Sequence, residues 1–220
     1  MHQTQTPVTI GLIPGYGTQC RIFERMQWPE DCQILPLEWP EPQVNESWEA
    51  YVQRWRMQLP ERIDVLVGVS WGGVVALTLG PWLHTQHIVQ ISSWQQPAHR
   101  VWWMRLLGIG PLYRIPIYLL HWKSPQQWAA YWVSNPVRLA QLWTRWMLPS
   151  SAYFYRWALP HILKIPPPQP DLPITAFKGT KDQWFPLQPH EIPIEGATHA
   201  AVLTHAPQLS LHLTKILQAL

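Results

Sequence analysis

The chain has 220 residues, 47% of them hydrophobic and 13% charged, with a formal net charge of +3. That length favours one well-buried core with room for an insertion over two independent domains. No window approaches the roughly 18 to 20 uninterrupted apolar residues of a membrane-spanning helix, and residues 1–7 are polar without a basic start or apolar run, so no secretory signal and a cytoplasmic location are expected.

Residues 8–13 (VTIGLI) read as a buried strand, ended by Pro14 and Gly15 and followed by a glycine-rich turn. Residues 34–37 are a weaker second strand. Asn45 then precedes a segment with Trp48, Val52, Trp55 and Leu59 on one helical face, stopped by Pro60. Residues 64–69 (DVLVGV) are nearly all apolar, as a central parallel strand covered on both faces requires. A glycine-opened apolar stretch over 72–83 predicts a buried helix, and 87–92 (HIVQIS) the next strand.

Regular alternation stops at Trp94. From there to 170, aromatic pieces compatible with helix are broken by Pro111, Pro116, Pro125, Pro136, Pro149 and Pro160, and PPPQP at 166–170 closes the stretch as a stiff spacer. Pattern resumes with strands at 173–178 (PITAFK) and 190–195 (HEIPIE). A terminal amphipathic helix over 207–220 carries Leu209, Leu213, Ile216 and Leu217 on one face. Strands alternating with helices predict an α/β fold built on a minimal, mostly parallel sheet of about six strands with helices on both faces. The core is expected over 1–93 and 171–220, with 94–170 inserted as a helical cap. Two cysteines, Cys20 and Cys32, are too few for a zinc site or a disulfide framework and read as structural thiols.

The insertion is compositionally distinct. It holds nine of the 16 tryptophans and eight basic residues (Arg100, Arg105, Arg114, Lys123, Arg138, Arg145, Arg156, Lys164) with no Asp or Glu. The rest of the chain has 8 basic against 13 acidic groups. A segment at +8 beside a remainder at −5 points to different things faced by the two parts.

The motif that carries chemistry is Gly68-Val69-Ser70-Trp71-Gly72, a GxSxG set after an apolar strand and at the start of a helix. A nucleophile in a strained strand-to-helix turn needs glycines beside it, because only they let strand and helix approach so closely. A serine hydroxyl is a poor nucleophile until a base takes its proton, so a histidine and a group to orient it are required. Asp182, in GTKDQWFP after a predicted strand, and His199, in EGATHAAV after the last one, follow Ser70 in the order Ser, Asp, His. Asp171 and Glu195 are the fallback acids; His121, His161, His205 and His212 are less well placed. Two backbone N–H groups must face the developing oxyanion. Trp71, immediately after the nucleophile, is expected to supply one, and Tyr16, in the Pro14-Gly15-Tyr16-Gly17 loop, the other. If Ser70 only capped the helix, none of these partners would be needed.

On these motifs the chain resembles the α/β-hydrolases along essentially its whole length. PGYG resembles their HGxG oxyanion loop, GVSWGG the nucleophile elbow, GTKDQWFP the GxxDxxxP acid loop and GATH the GxxH base loop. Pro14 stands where the family has a histidine whose contribution is mainly backbone geometry, and the first two strands of larger members have no counterpart. The resemblance implies a serine hydrolase with Ser70 as nucleophile, His199 as base and Asp182 as acid, no metal or organic cofactor, and Gly15, Trp94 and Trp184 at the substrate. Thioesterase and carbon–carbon hydrolase activities use the same machinery, whereas dehalogenation needs an acid where Ser70 stands.

Substrate choice in such a fold lies in the cap and loops. Trp102, Trp103, Trp122, Trp128, Trp132, Trp143, Trp146 and Trp157, with Leu106, Leu107, Leu119 and Leu120, would line an apolar acyl pocket or, for most of them, hold the cap onto the core. The uncompensated positive charge points to an anionic partner. In this it is similar to the pimeloyl acyl-carrier-protein methyl ester esterases of biotin synthesis, whose cap arginines receive an acidic carrier protein. An anionic membrane surface or lysophospholipid suits the same composition; nucleic acid is not expected. The alternative of a different class is a hydrolase-fold protein that binds an anionic partner without turnover, distinguished by loss of a triad member.

Overall fold

The computed structural model describes residues 7–102, 104–105, 145–146 and 152–220. Six strands form one sheet: β1 (Val8–Ile13), β2 (Cys32–Pro36), β3 (Val65–Val69), β4 (His87–Ile91), β5 (Ile174–Gly179) and β6 (Ile192–Ile194). Their spatial order is β2-β1-β3-β4-β5-β6, and every neighbouring pair is parallel. The expected mostly parallel sheet is therefore wholly parallel. The described helices are α1 (Trp48–Arg56), α2 (Trp71–Leu79), α3 (Ala152–Lys164), α4 (Ala201–Thr204) and α5 (Ala206–Leu217). None is long and apolar enough to cross a membrane.

The central strand β3 is apolar throughout because both faces are covered, and across the sheet alternate residues serve different layers. On one face Ile13, Leu66 and Ile88 pack against α1, α2 and α3 through Val52, Trp55, Val75, Phe154 and Ile162. On the other, Ile10, Val67, Val89 and Phe177 pack against α4 and α5 through Val202, Leu209 and Leu213. Gly11 in β1 marks a tight spot, since a Cβ there would come within 2.8 Å of the Leu66 side chain.

Two sequence expectations shift. The predicted helix over 72–83 begins at Trp71 and ends at Leu79, passing into a 3-10 turn over Gly80–Leu83. Pro160 does not break the chain there: α3 runs through it. A proline inside a helix forfeits one backbone bond, and here the buried Phe154, Trp157, Ala158, Ile162 and Leu163 hold the segment on the core. Arg100, 6% exposed, then donates to the Ile162 and Leu163 carbonyls at the end of α3, at 2.8 and 2.7 Å.

Most of the insertion, including Arg114, Trp122, Lys123, Trp128, Trp132, Arg138 and Trp143, lies outside the described residues. Where it is described, its tryptophans are mostly structural. Trp157 is buried, 4.4 Å from the Tyr51 ring centroid, and buried Trp146 donates Nε1 to Glu24 Oε1 at 3.1 Å; Trp102 is exposed. Arg145 pairs with the same Glu24 at 2.9 Å, so part of the segment's positive charge meets the acidic remainder of the chain. Cys20 and Cys32 are both free thiols, Cys20 buried.

Candidate active site

The site is assembled at the carboxyl ends of β3, β5 and β6, where a parallel sheet presents its loops. Ser70 follows β3 directly, with φ 52° and ψ −120°. That is a left-handed backbone for a residue with a Cβ, strained by roughly 1–3 kcal/mol. The flanking glycines are required by contact. A Cβ on Gly68 would lie 2.4 Å from the Gly72 carbonyl oxygen, and one on Gly72 would lie 2.4 Å from those of Ile13 and Pro14. The turn is also braced from β4, since Ser70 N–H donates to the Ile91 carbonyl at 2.9 Å. Ser70 makes no side-chain cap to α2, so its hydroxyl is not used as a helix cap.

Its partner is the expected histidine. His199 Nε2 lies 3.1 Å from Ser70 Oγ, and His199 Nδ1 lies 2.9 Å from Asp182 Oδ2. Asp182 is 8% exposed, and its second oxygen, Oδ1, accepts the Trp184 and Phe185 N–H groups at 2.9 and 3.2 Å. Burial pushes this carboxyl's pKa up, but His199, then Lys178 and the Trp184 N–H, outweigh it and hold it below the ordinary aspartate value. The loops of Asp182 and His199 meet because Gly179 has no side chain: a Cβ there would sit 2.2 Å from the Ala197 carbonyl oxygen. Lys181 N–H donates to that same carbonyl at 2.9 Å. The fallback acids are elsewhere. Glu195 is exposed and accepts from Thr180 Oγ1 at 3.3 Å, while Asp171 is exposed before β5, at the amino end of the strand whose carboxyl end leads to Asp182.

The Pro14-Gly15-Tyr16-Gly17 loop lies against the elbow. A Cβ built on Gly15 would be 3.5 Å from Ser70 Cβ, and the Tyr16 and Trp71 rings are 6.2 Å apart, edge to face. Thr18 N–H closes the turn on the Gly15 carbonyl at 3.1 Å, which also accepts Trp39 Nε1 at 3.1 Å. Tyr16 is anchored by its hydroxyl on the Tyr155 carbonyl at 2.9 Å. Trp71 is the first residue of α2, where the helix itself offers a backbone N–H no acceptor.

Gly15 and Trp184 lie beside the triad, Trp184 with its ring 6.4 Å from His199. Trp94 lies one ring further out, 1% exposed and stacked at 4.5 Å on Phe185, which itself lies 5.3 Å from His199. Trp94 and Trp71 also line a cavity of about 280 Å3 between α1, α2 and the end of α3, with Trp48, Val74 and His161. Three residues bonded into these loops were not anticipated: Phe185, whose N–H is donated to Asp182 Oδ1, Ser93, whose Oγ donates to the Ser70 carbonyl at 2.7 Å, and Lys178, whose Nζ donates to the Ser93 carbonyl. The sequence places Lys178 as a cation at the end of the strand read over 173–178, without marking the distant partners it meets.

No protein-family model matches the sequence, and no curated protein matches it. Solved structures do. A thermophilic esterase superposes with a TM-score of 0.64 at 16% identity, covering 96% of this chain and 90% of its own. A 2-hydroxy-6-oxo-6-phenylhexa-2,4-dienoate hydrolase from Rhodococcus sp. strain RHA1 gives 0.66 at 16% identity, with 96% and 90% covered. A lipase-esterase related protein from Clostridium acetobutylicum gives 0.64 at 13% identity, with 96% and 95% covered. The chain has the α/β-hydrolase fold.

Proposed function

We propose that this protein is a serine hydrolase that cleaves a carboxylic ester or thioester through an acyl-enzyme on Ser70. The observation that carries the reading is the continuous hydrogen-bonded chain from Ser70 Oγ through His199 to the buried Asp182, set at a strained elbow. His199 Nε2 takes the hydroxyl proton as Ser70 Oγ attacks the acyl carbon, and Asp182 holds the Nδ1–H tautomer and stabilises the imidazolium. The Tyr16 and Trp71 N–H groups receive the oxyanion. Collapse expels the alcohol or thiol with the proton from His199; a water activated by the same base then releases the acid. The esterase and hydrolase neighbours support the same class of chemistry.

Arg100 and Arg145 have partners within the chain; the excess positive charge of the insertion supports an acidic carrier protein or an anionic lipid as its partner. The test of the activity is turnover of p-nitrophenyl esters from acetate to palmitate by the wild type and Ser70→Ala. The variant is expected to lose at least about a thousandfold in kcat; near-normal turnover would overturn the assignment, and the chain-length optimum would size the acyl pocket.

A further inference from the structure

Lys178 stands near the carboxyl end of β5, a strand paired on both sides by β4 and β6. It is 1% exposed, and an ammonium so fully removed from water persists only when its hydrogens are matched. Its Nζ donates to the Ser93 carbonyl just beyond β4, lies 3.4 Å from Oε1 of the equally buried Glu191, and is 5.3 Å from the Phe185 ring centroid. Glu191 Oε2 accepts the Gln188 N–H at 2.8 Å.

Those contacts bracket the loop that carries Asp182. Lys178 precedes it, Glu191 closes its far end, and Phe185 between them donates its N–H to Asp182 Oδ1. A second branch leads to the nucleophile. Ser93 Oγ donates to the Ser70 carbonyl at 2.7 Å, and Gln90 Nε2 secures the same corner on the Gly73 carbonyl at 2.9 Å. One buried ammonium is thus connected both to the acid loop and, through one residue, to the elbow.

We propose that Lys178, with Glu191 and Ser93, is a positioning unit that fixes the Asp182 loop relative to the Ser70 elbow. The inference rests on the serine-hydrolase reading above and adds to it side chains that touch no reacting atom. Stability alone does not account for the pair, because buried ion pairs are commonly no more stabilising than apolar residues of the same volume. The titratable groups facing Lys178 are Glu191 before β6, Asp182 in the acid loop, and His99 in the turn after β4, with His190 5.7 Å from His99. His199 faces Asp182 from the other side.

The test is Lys178→Met combined with Glu191→Gln, which removes both charges together and leaves neither buried alone. Its melting temperature, KM and kcat for p-nitrophenyl acetate are compared with wild type across pH. The expected result is near-wild-type melting and KM, with kcat lowered about tenfold to a hundredfold, as for sub-ångström misplacement of reacting groups. The acid limb of kcat/KM moves to higher pH, because Asp182, held below the ordinary aspartate value in part by the Lys178 ammonium, takes up a proton more readily once that charge is gone. Wild-type kcat and an unmoved acid limb in a normally melting double variant would overturn the positioning role. If that variant fails to fold, Ser93→Ala carries the test: lowered kcat at unchanged KM supports the unit, and wild-type kcat overturns it. Failure of the underlying reading is a separate result, wild-type turnover that persists in Ser70→Ala.

Discussion

Asp64 and Asp182 stand at opposite ends of the same parallel sheet and are held in similar ways. Asp64, just before β3, accepts the Thr9 N–H on Oδ2 at 2.9 Å, and Arg62 Nε and Gln86 Nε2 on Oδ1 at 2.7 and 3.0 Å. Burial raises its pKa, but those donors more than offset this, so it too lies below the ordinary value. A depressed carboxyl is therefore no mark of a catalytic site by itself. The difference is in what the donors are. Asp64 meets only groups that cannot take up a proton, and so ties the amino ends of β1, β3 and β4 together. Asp182 gives one oxygen to fixed backbone N–H groups and the other to an imidazole that reaches Ser70.

The largest effect that would sharpen this contrast is Asp182→Asn. It keeps the shape and the Trp184 and Phe185 contacts but disfavours the useful His199 tautomer, so kcat should fall by about 10³–10⁴ with the melting temperature little changed. An unchanged kcat would erase the distinction between the two carboxylates. Asp64→Asn should do the reverse, costing about 1–3 kcal/mol in urea unfolding through lost charge-assisted bonds while leaving kcat alone.

Acid should expose the same structural role. Because Asp64 has a folded pKa below the ordinary 3.8, its stabilisation is complete above that value and lost as pH falls through it towards the lower folded pKa. Asp64→Asn should accordingly melt with less pH dependence below about pH 4 than wild type, read by thermal scans. The smallest effects belong to Asp171→Asn and Glu195→Gln: with both side chains exposed and outside the triad, each should change stability by less than about 0.5 kcal/mol and leave kcat unaltered. A large loss of kcat in either would reassign the acid.

Much of the site was legible because its signals are local. GVSWGG encodes a turn whose glycines are required within a few residues, and PGYG, GTKD and GATH each lie directly after a strand. Because all six strands run parallel, those loops share the carboxyl end of the sheet, and strand spans such as Val8–Ile13 were readable from short, mostly apolar runs. What sequence pattern missed depends on long-range packing. Pro160 lies inside α3 because the residues around it are buried against α1 and α2, a fact absent from its neighbours in sequence. Lys178 read as the last residue of a strand, since its partners Ser93 and Glu191 are far away in the chain. Likewise the charge excess of 94–170 gave no hint that Arg100 would close α3 or that Arg145 would meet Glu24.

The most direct measurement is intact-mass labelling with a fluorophosphonate probe, on wild type and on Ser70→Ala under native conditions. A single adduct is expected on the wild type and none on the variant, since only a serine activated by His199 attacks the phosphorus at a useful rate. A folded wild type that takes no label, or a Ser70→Ala variant that takes it equally, would contradict the account and leave the fold as a binding scaffold.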